Sequence, residues 1–228
     1  ILRNFIMTTK MKLVYFNGRG LAETSRLLLA INKAEYEDFR YPLKIIDWAT
    51  HNMEREEFLQ DKKENKLVQS LNKVPFLEVN GQVLSQSKSI ERYLATTFNM
   101  MGDTPLEAAR IDSLAECVRD FKDAYQSVRK LPEDEKEAGM KKWFSETLVE
   151  RFELLENLLC KEHEHFSVGR RMSLADVVLF AFITQFFDNT ESAWNATSTT
   201  PKLRAIIEHL QMNKELQHWL KTRPETPF

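Results

Sequence analysis

Every segment of this chain that favours β-strand lies before Phe98, and every long segment after Pro105 follows helical periodicity. That segregation restricts the fold to a small α/β unit followed by an all-α unit. In the first half, "KLVYF" (12–16) is short, apolar and rich in strand formers, and "NGRG" breaks it. "LAETSRLLLAINKA" (21–34) predicts a helix, and "YEDFRYP" (36–42) predicts a second strand stopped by Pro42. The polar stretch from Asp47 to Asn72 predicts partial helix around "MEREEFLQ" and mobility around "DKKENK". "PFLEV" and "QVLSQ" flank Asn80-Gly81, a type I′ hairpin signal because both central residues need positive φ. Ile90, Tyr93, Leu94 and Phe98 then repeat at helical spacing. Helical patterns fill 106–130, 134–163, 173–188 and 201–221. The expected organisation is an N-terminal extension (1–11), an α/β domain (12–98), a linker (99–105) and an all-α domain (106–228).

The charge balance, 32 Lys+Arg against 34 Asp+Glu, gives no electrostatic drive toward nucleic acid or anionic membranes. No stretch approaches the run of about 18 apolar residues that a membrane span requires. The opening "ILRNFIMTTKMK" has charges interrupting a short apolar run, so it is a poor secretory signal. Cys117 and Cys160 are the only cysteines, which argues against a disulfide framework and for a reducing, cytoplasmic setting. His163 and His165 stand two apart and would point to different helix faces, so no metal site is expected.

Few residues here can do chemistry. Gln86 and Ser87 sit where a hairpin runs into a helix, so the N–H groups of the first helical turn open beside a hydroxyl and an amide. Either Ser87 caps its own helix, or the junction is an anion site reinforced by the helix dipole. Val74-Pro75 opens a strand; its bond is either plain trans or cis, the second presenting the Val74 backbone to an extended peptide-like ligand. Tyr15 ends the first strand before a glycine-containing loop, where it is either half-buried packing or a phenol facing a cleft. Gly18 and Gly20 are too few and wrongly spaced for a dinucleotide fingerprint. Ser173 and Asp176 form a structural capping box ahead of an apolar helix.

Together, "LVYFNGRGLAE", "YEDFR", "DW", "KVPFLEVNG", "SQSKSIERYL", "SLAD" and the closing "KTRPETPF" resemble the cytosolic glutathione transferases. The likeness is nearest the sigma class, which includes glutathione-dependent prostaglandin D synthases and lens S-crystallins, and it runs from about Lys12 to Phe228. Each motif alone is weak; the ordered set is specific. The resemblance implies a thioredoxin-like N-terminal domain, an all-α C-terminal domain, a homodimer, a cis Pro75, and glutathione as co-substrate without a prosthetic group. It implies a cytoplasmic detoxification enzyme that conjugates glutathione to small hydrophobic electrophiles and also reduces organic hydroperoxides. The alternatives are a prostaglandin-H2 D-isomerase and a catalytically weak relative of the S-crystallin or ligand-carrier kind.

By position, Tyr15 resembles the tyrosine that holds the glutathione thiolate, and Trp48, Asn72 and Lys73 resemble residues of the glycyl side. Val74 resembles the backbone partner of the cysteinyl unit, Gln86 and Ser87 the pair for the γ-glutamyl carboxylate, and Asp120 the acid that reaches the γ-glutamyl amine of the neighbouring subunit. Phe16, Lys122, Ser127, Val178 and Phe182 match positions of the electrophile pocket. Lys122 and Ser127 replace side chains that shape a prostaglandin pocket, which disfavours the isomerase. Leu21 stands where many sigma members have Arg, so a less depressed thiol pKa is expected. The lengthened 48–72 segment leaves Lys62, Lys63 and Lys66 as candidates for a further carboxylate-binding lysine.

Overall fold

The computed structural model describes residues 9–47 and 52–226. Strand β1 (Met11–Phe16) leads through a short 3-10 turn at Gly20–Ala22 into helix α1 (Glu23–Ile31) and strand β2 (Glu37–Tyr41). β1 and β2 pair in parallel, so a crossover must join them, and α1 supplies it. Next come β3 (Lys44–Asp47), β4 (Asn52–Glu54), α2 (Glu56–Lys63), β5 (Phe76–Val79), β6 (Gln82–Ser85) and α3 (Ser87–Thr97). The main sheet is mixed, in the order β2-β1-β5-β6, with β5 antiparallel to both β1 and β6. Asn80 and Gly81 hold φ of 49° and 82°, the two positive values that a type I′ hairpin demands.

β3 and β4 form a separate two-stranded sheet; β3 lies between the expected second strand and the polar stretch, and β4 lies inside that stretch, where only helix and loop are expected. In the "DKKENK" segment, opposite charges pair with one another. Lys66 Nζ bonds Asp61 at 2.8 Å and Glu64 at 2.7 Å, and Asp61 also accepts from the Tyr41 hydroxyl at 2.8 Å. These bonds fold the end of α2 back on itself. One core cluster of this unit is rich in aromatic rings: Val14, Tyr41, Phe58 and Leu67 are buried together, with Phe16, Phe39, Val74 and Phe76 packed around them.

The helical unit contains α4 (Pro105–Arg129), α5 (Glu133–Lys142), α6 (Leu148–Glu156), α7 (Leu174–Ala181), α8 (Thr190–Asn195), α9 (Pro201–Gln211) and α10 (Lys214–Thr222). Thr104 and Glu107 make a capping box that starts α4. All eight residues of α7 are buried, as a helix apolar on every face must be. Its start is fixed by Asp176, which accepts from Ser167 N–H and Ser173 N–H at 2.7 Å and from the Ser173 hydroxyl at 2.8 Å. Five-residue π segments at Trp143–Thr147 and Phe182–Phe186 interrupt what the periodicity reads as continuous helices.

Residues up to 93, with 224–226, form one compact unit, and Leu94–Arg223 forms the other. The division therefore falls inside α3, and the 99–105 segment belongs to the helical unit. Leu174 N–H binds the Met100 carbonyl, and Arg171 binds Asn99 Oδ1, Gly102 O and the Asp103 carboxylate, which ties this segment to the helices.

Candidate functional site

The sheet register brings the N-terminal candidates to one edge. Val14 faces Phe76 across β1 and β5, and Phe76 faces Ser85 across β5 and β6. Tyr15, Pro75 and Gln86 each lie one residue beyond those partners, on the same side. Two chain turns and a helix start therefore meet around the Tyr15 end of the central strand.

Tyr15 is 9% exposed, and its phenol oxygen accepts a hydrogen bond from Leu21 N–H at 3.2 Å. A phenol that accepts this bond still has its own O–H to donate elsewhere. Burial raises the Tyr15 pKa above its ordinary value, with the Leu21 N–H and the Arg26 guanidinium acting the other way. The phenol accordingly stays protonated at neutral pH and has a proton that it can donate. Gly20, at φ 36°, leaves the phenol its space.

Two consecutive non-glycine residues, Leu71 and Asn72, both hold φ 57° before Lys73 and the Val74–Pro75 bond, which is cis. Left-handed backbone at such residues costs about 1–2 kcal/mol each and clusters where a loop must present groups in a fixed direction. The Asn72 N–H is bonded to Leu67 O at 2.8 Å, while its side-chain Oδ1 is buried without a partner among the described residues. Lys73 is exposed and Val74 half-buried.

Gln86 holds φ 74°, and its carbonyl accepts the first helical bond of α3, from Ile90 N–H at 3.0 Å. It is thus the residue at which the chain turns into the helix. The N–H groups of Ser87, Lys88 and Ser89 precede any carbonyl of the same helix that they could bind. Gln86 is exposed and Ser87 half-buried. Lys88, one residue further on, is engaged by Glu91 at 2.9 Å. What converges on this edge is a phenolic donor, a strained backbone segment and a helix N-terminus beside an amide and a hydroxyl. Such a set can hold an extended molecule with a soft anion in its middle and a carboxylate at one end.

The remaining candidates are distributed elsewhere. Trp48 lies outside the described residues. Asp120 is exposed on α4 in the helical unit, 4.0 Å from Arg119. Lys66, weighed as a carboxylate binder, has its ammonium committed to Asp61 and Glu64. Phe16 packs edge-on to Phe58 at 5.1 Å in the core of the first unit. Lys122 Nζ sits 5.1 Å above the Phe186 ring, and the exposed Ser127 hydroxyl donates to Asp123 O in its own helix. Val178 and Phe182 are both 0% exposed within the helical core, so in this structure neither offers surface to a ligand. Sequence reasoning passed over Leu21 N–H and Arg26: a backbone donor leaves no trace in residue type, and Arg26 reads as an ordinary helix former.

Residues 11–96 match the family described as glutathione S-transferase, N-terminal domain, and residues 119–223 match the glutathione S-transferase C-terminal domain. Glutathione S-transferase 1 of Ascaris suum is 32% identical over 222 residues, covering 95% of this chain and 98% of its own. Hematopoietic prostaglandin D synthase of Gallus gallus is 30% identical over 220 residues, covering 94% and 97%. Among solved structures, the monomeric Na-GST-3 of the hookworm Necator americanus superposes with a TM-score of 0.79 at 28% identity, covering 96% of this chain and 100% of its own. The sigma class GST of Fasciola hepatica gives 0.76 at 26% identity, covering 97% and 100%.

Proposed function

Because this chain belongs to the glutathione S-transferase family, we propose that it is a sigma-like transferase in which Tyr15 holds the glutathione sulfur as a thiolate. The thiolate attacks small hydrophobic electrophiles and, as a second activity, reduces organic hydroperoxides. The Leu21 N–H bond to the Tyr15 oxygen carries the reading, since it leaves the phenol's proton for a second acceptor. A free thiol titrates near about 8.5, so little thiolate exists at neutral pH. A charge-assisted hydrogen bond worth roughly 1.5–3 kcal/mol lowers that pKa by about one to two units. The rest of the tripeptide is held by Gln86 and Ser87 at the γ-glutamyl carboxylate, by the Val74 backbone at the cysteinyl unit, and by Asn72, Lys73 and Trp48 at the glycyl end. Asp120 of a second copy meets the γ-glutamyl amine, which makes the working form a cytoplasmic homodimer.

The test compares wild type with Tyr15→Phe in initial rates against pH, using glutathione and an aryl halide. The phenylalanine variant is expected to lose about 10- to 100-fold in kcat/KM at pH 6.5, with the loss shrinking as pH rises toward the free thiol's pKa. Equal profiles for the two proteins would sink the reading. A second reading, prostaglandin-H2 D-isomerase, draws on the likeness to the chicken enzyme. Supplying that endoperoxide and finding one specific product would favour it.

A further inference from the structure

Arg26 is 0% exposed, the largest of the wholly buried side chains. Burying a guanidinium is costly unless its donors are used, and a leucine at this position of α1 would carry no such cost. Its bonds show where the charge is employed. Nη1 donates to the Gly18 carbonyl at 2.6 Å and stands 3.8 Å from Glu23 Oε2; Nε donates to Asp38 Oδ1 at 3.2 Å. Asp38 is shared with Arg40, 2.7 Å away, and Arg40 reaches on to Asn17 Oδ1 at 3.4 Å. Two arginines thus hold consecutive residues of the loop that joins β1 to the 3-10 turn.

That loop does two things for Tyr15. It leads into the 3-10 turn, where Leu21 N–H binds the phenol oxygen and Gly20 lies against the phenol. The same guanidinium lies 6.0 Å from the centre of the Tyr15 ring, with Glu23, Asp38, Arg40 and the Tyr36 hydroxyl as its charged and titratable surroundings. A cation at that range in a poorly solvated interior favours negative charge at or beyond the phenol. Asp38 and Glu23 take up part of the field.

Building on the assignment of Tyr15 as thiolate donor, we propose that Arg26 is its positioning residue. Through the Gly18 carbonyl it fixes the loop that aims the phenol, and through its charge it favours the anion that the phenol faces. A purely structural tie between α1 and β2 would affect stability and leave the ionisation of bound glutathione unchanged. The proposed role moves that ionisation.

The measurement is the pKa of glutathione bound to the full-length protein, read from thiolate absorbance against pH. Arg26→Gln removes the charge and, being two bonds shorter, the reach to Gly18 O, while it leaves Asp38 paired with Arg40. It is expected to raise the bound thiol's pKa by about one unit. Asp38→Asn keeps an acceptor for Arg26 while removing a compensating negative charge, and is expected to lower that pKa by about half a unit. Should Arg26→Gln fail to fold, the direction of the Asp38→Asn shift decides alone. A depressed pKa in wild type that neither folded variant moves would overturn the proposal and leave the role of Tyr15 intact. A wild-type protein whose bound thiol titrates like free glutathione would instead remove the Tyr15 reading, and Arg26 with it.

Discussion

Gly20 and the Tyr15 phenol are matched so closely that a side chain at one excludes the other: a Cβ added at residue 20 would stand 2.6 Å from Tyr15 Oη. Gly20 also holds φ 36°, so an alanine there meets both backbone strain and a collision. Gly20→Ala is expected to push the phenol off its position and lower kcat/KM by about tenfold or more, on the scale of one misplaced charge-assisted bond. Gly81→Ala is the matched control, since φ there is 82° but nothing lies within 4 Å of the added Cβ. Both variants should lose about 1 kcal/mol of stability in denaturant melts. Only the first should lose rate, and equal kinetics for the two would show that Gly20 is not protecting the phenol.

The side chain of Leu21 is 56% exposed while its N–H serves Tyr15, so residue type and backbone role are separable at this position. Leu21→Arg adds a cation near the phenol without removing the N–H. A nearby positive charge favours the thiolate over the thiol, so the acid limb of the pH–rate profile is expected to move to lower pH, by about half a unit for an exposed group. The shift should shrink as salt is added. Because burial raises the Tyr15 pKa, the phenol itself adds no alkaline fall below its ordinary titration range. A profile that stays in place at low salt counts against any electrostatic role for this position.

Much of this was readable from residue types where the controlling interactions are local. Asn80-Gly81 dictated a hairpin because only a few residues tolerate two positive φ values in succession. Ser173 and Asp176 announced the start of α7 because the bonds between them span three residues. The β3–β4 pairing was hidden because its strands are only four and three residues long and β4 is mostly polar. The end of α6 at Glu156 was hidden because apolar spacing continues through Leu158 and Leu159, while Cys160 N–H turns away to bind Ser167 O. The π segments were hidden because apolar periodicity does not separate a single wider turn from a continuous helix. At the site, the phenol, amide and hydroxyl could be picked out as residue types. The surroundings of the phenol could not, because they include a backbone N–H from Leu21 and a buried guanidinium bonded to Gly18 O.

Gln86 pays a conformational cost at φ 74° that a glycine would not. A strained residue kept where the chain turns into α3 suggests that its amide is worth more than the stability it costs. Gln86→Gly is therefore expected to raise unfolding stability by up to about 1 kcal/mol while raising the KM for glutathione several-fold. If the amide addresses the far end of the ligand as proposed, the thiol pKa of bound glutathione should hardly move. A variant that is both more stable and unimpaired in KM would remove Gln86 from the binding set.

Asp120 supplies the sharpest test of assembly, because it is exposed on α4 while Tyr15 is buried in the other unit. If each site combines Tyr15 from one subunit with Asp120 from its partner, two damaged proteins can repair each other. In a heterodimer of Tyr15→Phe with Asp120→Asn, one site carries both defects and the other carries neither. Random exchange of equal amounts gives half heterodimers, so about a quarter of all sites are restored in a closed two-fold dimer. Mixing after mild dissociation should then recover about that fraction of wild-type activity at low glutathione concentration, above the sum of the separate parents. If Asp120 served its own subunit, every site in the heterodimer would carry one defect and mixing would add nothing. A chain that remains monomeric by light scattering at assay concentration, fully active, would exclude the shared site outright.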